Sequence, residues 1–285
     1  MHPAFFFYAN PYRPSGVDAA RALEKRLVEE NYSVYSDPWL AAQGVGLAAD
    51  ATHVPAGTRA LVAFGGDGTL LRIMPDAFRQ RLPMYGINTG SVGFLMEGSP
   101  DETEAAADML IRQDYRVEAC PVLEIRHGRE TYLALNDLSL TRGEHPGVIE
   151  VTVLADGERV LTCHGDGAVI ATPLGSTAYA LSSGGPIVRP DVQCLTVTAI
   201  AARELLLRPV LLPLSSQVRV IAHGRDRRRL QLAVDGQTLL PVTEEAEIGV
   251  SVAPERALLI RPRAHSFFAT LRKKQRIWNQ DDEQE

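Results

Sequence analysis

The sequence predicts two domains, an N-terminal Rossmann-like α/β domain and a C-terminal β-sandwich-like domain. Three observations carry that reading. Apolar strand-like runs alternate with helical spacings from Ala4 to Arg112. Short β-branched segments then recur at near-regular intervals from Val117 to Arg261, and the tail from Ser266 returns to helical spacing. The α/β domain is placed over 1–113 and completed by a C-terminal helix over 265–285. The β-sandwich-like domain is placed over 114–264.

The elements follow in order. Ala4 to Ala9 reads as a first strand, and Asn10-Pro11 turns the chain into a helix over Val17 to Glu30. There Ala19, Ala20, Leu23 and Leu27 share one face. Tyr32 to Ser36 is a second strand, and the Ala- and Gly-rich stretch after it carries no clear pattern. Leu61 to Phe64 is a strand, followed by a helix ending before Pro83 and a strand over Met84 to Ile87. Asp101 to Arg112 reads as a helix with an acidic start, burying Ala105, Met109 and Leu110. Beyond it, strands are expected over Val117–Ile125, Thr131–Thr141, Ile149–Leu154, Glu158–Cys163 and Ala168–Ala171. Further strands are expected over Gln193–Ile200, Val218–Ala222, Arg229–Val234, Ile248–Val252 and Ala257–Arg261. The tail helix turns Phe267, Leu271 and Trp278 inward against the first domain, and residues 281–285 form a frayed acidic end.

The chain is organised around Gly65-Gly66-Asp67-Gly68-Thr69 at the end of a buried strand. Its glycines allow a sharp bend and leave backbone N–H groups open to a polyanionic ligand. Asp67 is the odd member. A carboxylate repels phosphate unless it acts as a base or faces a metal ion. An Asp-Gly pair also makes an ordinary tight turn, but here Gly-Gly precedes it, and Leu70-Leu71-Arg72 follows as a helix start. The spacing is not the G-x-G-x-x-G of dinucleotide-binding turns. Asn88 to Leu95 is a second glycine-punctuated loop directly after a strand, placed to share the same cleft at the carboxyl ends of the strands.

Composition narrows the function. The 285 residues, 45% hydrophobic and 22% charged, suit an ordinary globular protein. A net charge of −6 argues against a nucleic-acid binder and favours small-molecule substrates. Cys120, Cys163 and Cys194 are scattered and apolar in context, as expected of buried thiols in a reducing compartment. The start has no basic leader, and even Leu205 to Leu214 is broken by Arg208, Pro209 and Pro213, so neither export nor a membrane span is expected. The expected location is cytoplasmic. His2, His53, His127, His145, His164, His223 and His265 show no metal-binding spacing, and the run Arg225 to Arg229 reads as a solvated turn. Ser176 has no histidine at a spacing that would make it a hydrolase nucleophile.

A second constellation, Asp166 to Pro186, sets small residues among the strands and is expected to form one helix. Thr177 and Ser182 offer hydroxyls, and Tyr179 a ring and a phenol. Such groups suit an adenine or ribose seated close to the backbone, though a small-residue helix between sheets has the same composition.

Taken together, the two segments resemble those of the NAD kinase family. The resemblance rests on Gly65 to Thr69, Asn88 to Leu95, Asn136-Asp137, Asp166 to Pro186, Asp235-Gly236-Gln237, and Phe267-Phe268 through Trp278, nearly the whole chain. Gly-Gly-Asp-Gly-Thr alone is shared with lipid kinases; Gly175-Ser176-Thr177-Ala178-Tyr179 is what discriminates. The resemblance implies phosphorylation of the adenosine ribose 2′-hydroxyl of NAD by ATP or polyphosphate, with a divalent metal such as Mg2+. No metal ligand from the protein is implied. A homodimer or homotetramer is implied as well.

Carried over by position, Asp67 is the general base within a turn, Gly66 and Gly68 included, that accommodates phosphates. Asn136 and Asp137 bind ribose hydroxyls and diphosphate-side groups. Asp166, Thr177, Ala178, Tyr179 and Ser182 line the NAD site. Arg72, Asn88, Phe94, His164, Leu174, Ala201 and Gln237 flank it. Three positions depart from the family pattern. Asn136-Asp137 stands for Asn-Glu, Leu174 for a usual Thr, and Ile200-Ala201-Ala202 for a Cys-Pro-His type segment. Two other readings compete: a lipid or sugar kinase sharing the glycine-Asp turn, and a catalytically silent NAD(P)-binding regulator.

Overall fold

A computed structural model describes residues 2–281 apart from 13–14, 91–92, 145–146, 224–229 and 244–245, and the side chains up to residue 276. Ser91 and Val92 of the second glycine loop, His145, the run Arg225 to Arg229, the Trp278 side chain and residues 282–285 lie outside the described residues. Two compact units form, residues 1–119 with 257–285, and residues 120–256.

The first unit contains β1 (Ala4–Ala9), α1 (Ser15–Glu29), β2 (Ser33–Ser36), α2 (Pro38–Ala42), β3 (Leu47–Ala48), β4 (Thr58–Gly65), α3 (Asp67–Arg79), β5 (Met84–Asn88) and α4 (Thr103–Arg112). The strands are parallel and ordered β3-β2-β1-β4-β5. Continuous apolar runs such as Phe5-Phe6-Phe7 arise because both faces of such a sheet are covered. Phe5 and Phe7 pack with Leu23 and Leu27 of α1 and Leu110 of α4. Alternation turns Phe6 to the other face, and α3 packs on β1, β4 and β5. The order in which successive strands are added reverses at the β1–β4 pair, and in such sheets ligands bind at the carboxyl ends beside that switch point. The Asp67 turn follows β4 there.

Two local readings change in this unit. The unpatterned stretch after β2 forms α2, β3 and a 3-10 turn at Ala51–His53. Pro38 sits in the first turn of α2, and the Asp37 carboxylate caps it by accepting the N–H groups of Trp39 and Leu40. In α4 the buried face is Thr103, Ala106, Ala107 and Leu110; Ala105 is exposed, because a one-residue phase error rotates it by about 100°.

The second unit is built from β6 (Tyr115–His127), β7 (Glu130–Ala134), β8 (Asp137–Thr141), β9 (Ile149–Ala155), β10 (Glu158–Gly165), β11 (Gly167–Ala171), α5 (Tyr179–Ser182), β12 (Cys194–Ile200), β13 (Val210–Pro213), β14 (Val218–His223), β15 (Leu230–Val234), β16 (Thr238–Val242) and β17 (Glu247–Pro262). One antiparallel sheet is ordered β13-β12-β11-β8-β15-β16, and a second runs β10-β9-β14-β17. Val151, Val153, Val220 and Ile248 from one sheet and Leu138, Leu140, Ile170, Val197 and Leu232 from the other share a core. The alternating burial along β9 is the signature of strands with one face inward.

Several sequence readings are corrected. Thr131–Thr141 is two strands, broken at Leu135-Asn136. Ile248–Val252 and Ala257–Arg261 are parts of the single strand β17, and β13 and β16 are additional. The Asp166–Pro186 segment is not one helix. It runs from β11 into a 3-10 turn at Leu174–Thr177, breaks at Ala178 (φ −99°, ψ −133°) and ends in the short α5. The units change over inside β6 and β17 rather than at 113/114 and 264/265, where uninterrupted strands give no linker signal. The last residues of β17 belong to the first unit and pair beside β5 through Leu259 and Met84, and α6 (Phe267–Asp281) follows in that same unit.

Candidate active site

In the first unit the chain leaves β4 and enters α3 with Gly66 as N-cap and Asp67 as the first helical residue. The start of α3 is the positive end of its helix dipole and favours anionic groups, while the Thr69 N–H is bonded to Gly66 O at 2.8 Å. The Asp67 carboxylate is held from the side: Oδ2 accepts the Phe94 N–H at 2.8 Å, and Oδ1 accepts the Leu95 N–H at 3.1 Å. Both oxygens are therefore oriented while retaining lone pairs for a further proton or hydroxyl.

Glycine is required at two points. A Cβ on Gly93 would lie 1.8 Å from Asp67 Oδ1, and one on Gly65 would lie 2.1 Å from Thr69 Oγ1. A Cβ on Gly66 would meet nothing within 4 Å, so that side of the turn is open. The loop is tied back by Thr89 N–H to Gly65 O at 2.8 Å and by Asn88 N–H to Gly98 O at 2.8 Å. Asn88 Oδ1 accepts the Gly90 N–H. Gly68 is exposed on the first turn of α3, and so is Arg72 one turn on. Arg72 bonds the Tyr8 phenol, opposing the burial that holds the Tyr8 proton above the usual range. Phe94 is buried, with the Phe267 ring 6.3 Å away and the Lys274 ammonium 5.0 Å from its ring centre.

The second unit gathers Asn136, Asp137, Thr177, Ala178, Tyr179 and Gln237 near the carboxyl end of β11. The organiser is Asp235, a residue the sequence marked only as part of a family segment. Its Oδ1 accepts the N–H groups of Asn136 (2.8 Å) and Asp137 (3.1 Å), and its Oδ2 accepts that of Leu135 (2.9 Å). This clamp breaks the expected long strand into β7 and β8. Asp235 holds a positive φ of 50°, as the Asp-Gly pair hints, and its own N–H returns to Asp137 O at 2.9 Å.

Thr172 closes the crossing by donating Oγ1 to Leu135 O (2.6 Å) and accepting the Gly175 N–H (3.1 Å). A Cβ on Gly175 would lie 2.1 Å from Asn136 O. The Asp137 carboxylate accepts the Tyr179 N–H, and burial, reinforced by the Asp235 charge, pushes its proton affinity up to about 7. Burial also raises Asp235, against its three N–H bonds. Asp137, with a single backbone donor, is the member of the pair that takes the proton first. Thr177 Oγ1 donates to Leu174 O at 3.2 Å; Tyr179 and Ser182 are exposed, and Leu174 is buried rather than presented.

His164, Asp166 and Ala201 form a separate group at the other end of β11, about 20 Å from Thr172 at strand spacing. There His164 Nδ1 meets Glu204 Oε1 at 2.7 Å, and Asp166 Oδ1 accepts from Arg142 Nε at 2.8 Å. Ala201 has a φ of 47° beside Gly165, which faces the Ile200 and Ala201 carbonyls. Among the described residues no group of three or more His, Cys, Asp and Glu side chains is placed to hold a metal, and no helix is long and apolar enough to cross a membrane.

Comparison with known proteins gives this geometry its family. The ATP-NAD kinase N-terminal domain matches residues 5–115 and the ATP-NAD kinase C-terminal domain residues 135–262. The NAD kinase of Heliobacterium modesticaldum is 38% identical over 219 residues, covering 75% of this chain and 77% of that protein. That of Tolumonas auensis is 35% identical over 265 residues, 89% of each. Among solved structures, yeast NADH kinase complexed with NADH aligns with a TM-score of 0.84 at 24% identity, over 95% of this chain and 86% of that one, and shows the fold. An NAD kinase from Archaeoglobus fulgidus in complex with ATP aligns with a TM-score of 0.73 at 26% identity, over 92% and 94%. Matches to both domains leave a lipid or sugar kinase sharing one glycine-Asp turn without support, and the chain belongs to the NAD kinase family.

Proposed function

We propose that the chain transfers the terminal phosphoryl group of ATP, or of polyphosphate, to the 2′-hydroxyl of the adenosine ribose of NAD, giving NADP. The observation that carries the chemistry is the fixed Asp67 carboxylate at the start of α3. The ribose oxygen forms the new P–O bond, the bridging P–O bond to the rest of the donor breaks, and Asp67 takes the hydroxyl proton. Such a base contributes about 10²–10⁴-fold. Positioning and charge neutralisation carry most of the remainder.

Asn136 and Asp137, fixed by Asp235, are the proposed ribose and diphosphate-side ligands. A carboxyl that titrates at about 7 both donates to and accepts from sugar hydroxyls near neutral pH. Thr177, Ala178, Tyr179 and Ser182 line the nucleotide. A divalent cation, Mg2+ in the first instance, neutralises charge on the transferring phosphates. Such a cation keeps part of its water shell and is held by one or two carboxylates together with the substrate phosphates. A cytoplasmic location and assembly as a homodimer or homotetramer belong to the same reading.

The test is NADP formation by purified protein given NAD and magnesium, with ATP and polyphosphate in parallel, comparing wild type with Asp67→Asn. Product that falls at least about 100-fold in the variant, with NAD binding retained, supports the base. Loss of binding together with turnover makes Asp67 a substrate ligand instead. No product from either donor, with tight NADP binding, favours the regulator.

A further inference from the structure

We infer that Arg261 is a positioning residue for phosphoryl transfer, acting on Asp67 through a single peptide group. The inference rests on the general-base reading of Asp67. Arg261 is the penultimate residue of β17 and is 1% exposed, among the most deeply buried large side chains of the protein. Its Nη1 donates to the carbonyls of Phe94 (3.2 Å) and Leu95 (3.4 Å) and to the Glu97 carboxylate, and its Nε donates to Glu118 Oε2 at 2.7 Å.

The Phe94 carbonyl and the Leu95 N–H are the two ends of one peptide plane. That N–H is the donor to Asp67 Oδ1 at 3.1 Å. The guanidinium therefore grips the far side of the same rigid group that orients the carboxylate, and a chain of aligned hydrogen bonds strengthens each of its members. Glu97 and Glu118 balance the Arg261 charge, with His265 Nδ1 also 2.8 Å from Glu97 Oε1. The contribution of Arg261 is thus orientation rather than a net field at the site.

Lysine cannot replace it. One ammonium has no planar fork with which to hold two carboxylates and two carbonyls at once, yet Arg261→Lys keeps the charge and avoids stranding Glu97 and Glu118. Steady-state kinetics on the full chain test the inference, with Asp67→Asn alongside and Arg263→Lys as the control. Arg263 is the neighbouring exposed arginine, paired with Asp114 at the surface.

The expected result is a folded Arg261→Lys enzyme whose kcat drops about 10- to 100-fold while KM for NAD stays within about threefold, the signature of a misplaced reacting group. Arg263→Lys keeps both parameters within about twofold, as surface pairs contribute little. A folded Arg261→Lys enzyme with wild-type kcat, or with its whole loss in KM, overturns the inference. If that variant does not fold, Glu118→Gln weakens the Nε anchor while leaving Arg261 in place; a selective loss in kcat supports the inference and an unchanged kcat overturns it. Full turnover by Asp67→Asn removes the base and the inference together, whereas a dead Asp67→Asn beside an unaffected Arg261→Lys removes the inference only.

Discussion

Replacing Asp235 by Asn tests the clamp that builds the proposed nucleotide site. The carboxylate receives three N–H groups, two on Oδ1 and one on Oδ2. Asparagine keeps one acceptor oxygen, which can still serve Asn136 and Asp137. Its amide then faces the Leu135 N–H, donor against donor. Hydrogen bonds to a charged group are worth about 1.5–3 kcal/mol each, and a stranded buried donor costs about 1–3 kcal/mol. Against this, the substitution removes a buried charge that is itself unfavourable, as the raised proton affinity of Asp235 attests.

The lost bonds outweigh that relief, and the net cost is about 2–3 kcal/mol. At about 2–4 °C per kcal/mol for a chain of this size class, the unfolding midpoint drops by roughly 4–12 °C. Because the stranded N–H belongs to Leu135, directly before Asn136 and Asp137 in the chain, the site backbone shifts, and KM for NAD rises at least about tenfold with kcat less affected. Calorimetry and initial rates read the two effects separately. A variant as stable as wild type with an unchanged KM would show that the carboxylate does not shape the site.

Two further outcomes follow from the same geometry. Gly93→Ala places a methyl where Asp67 Oδ1 now sits, at 1.8 Å, so the carboxylate or its loop must move. The expected loss is about 100-fold in kcat at little cost to the midpoint, and wild-type turnover in this variant would contradict the side-on hold. The second concerns pH. Asp137 and Asp235 both bind protons more tightly folded than unfolded, Asp137 up to about 7. Their contribution to stability is complete below the unfolded carboxylate value and is lost as pH rises through about 7. Denaturant midpoints are therefore expected to decline between about pH 4 and 8 less steeply in Asp137→Asn than in wild type, and parallel profiles would count against the assignment.

Much of this was legible because it is local. The Phe5-Phe6-Phe7 run, the spacing of Leu23 and Leu27 in α1, and the strand-to-glycine transition at Phe64-Gly65 each depend on residues a few positions apart. The alternation along β9 and β15 is of the same kind. What escaped depends on partners far away in the chain. Asn136-Asp137 gives only a weak local signal for a strand break after Leu135; the cause is a carboxylate at position 235. The Asp166–Pro186 segment looks helical by composition, yet Thr172 and Gly175 are committed to the 135–136 backbone, and the helix that remains is only Tyr179–Ser182. Likewise β17 read as two strands because Pro254-Glu255-Arg256 resembles a turn, although the strand runs without a break from Glu247 to Pro262.

The same device recurs at three strand ends. Asp37 holds the Ala9 N–H at the end of β1, Asp67 is held by Phe94 and Leu95 beside β4, and Asp235 holds residues 135–137 before β8. In Asp37 and Asp235 burial wins over the hydrogen bonds and raises the carboxyl, as expected where a group is used to organise backbone rather than to meet solvent. Asp67 differs in being half-buried beside the open face of Gly66, so the hold on its two oxygens leaves it accessible. That difference in setting, and not the residue type, is what separates the two carboxylates that support loops from the one proposed to take a proton from a substrate. It is also why a sequence that shows all three aspartates singles out only the one surrounded by glycines.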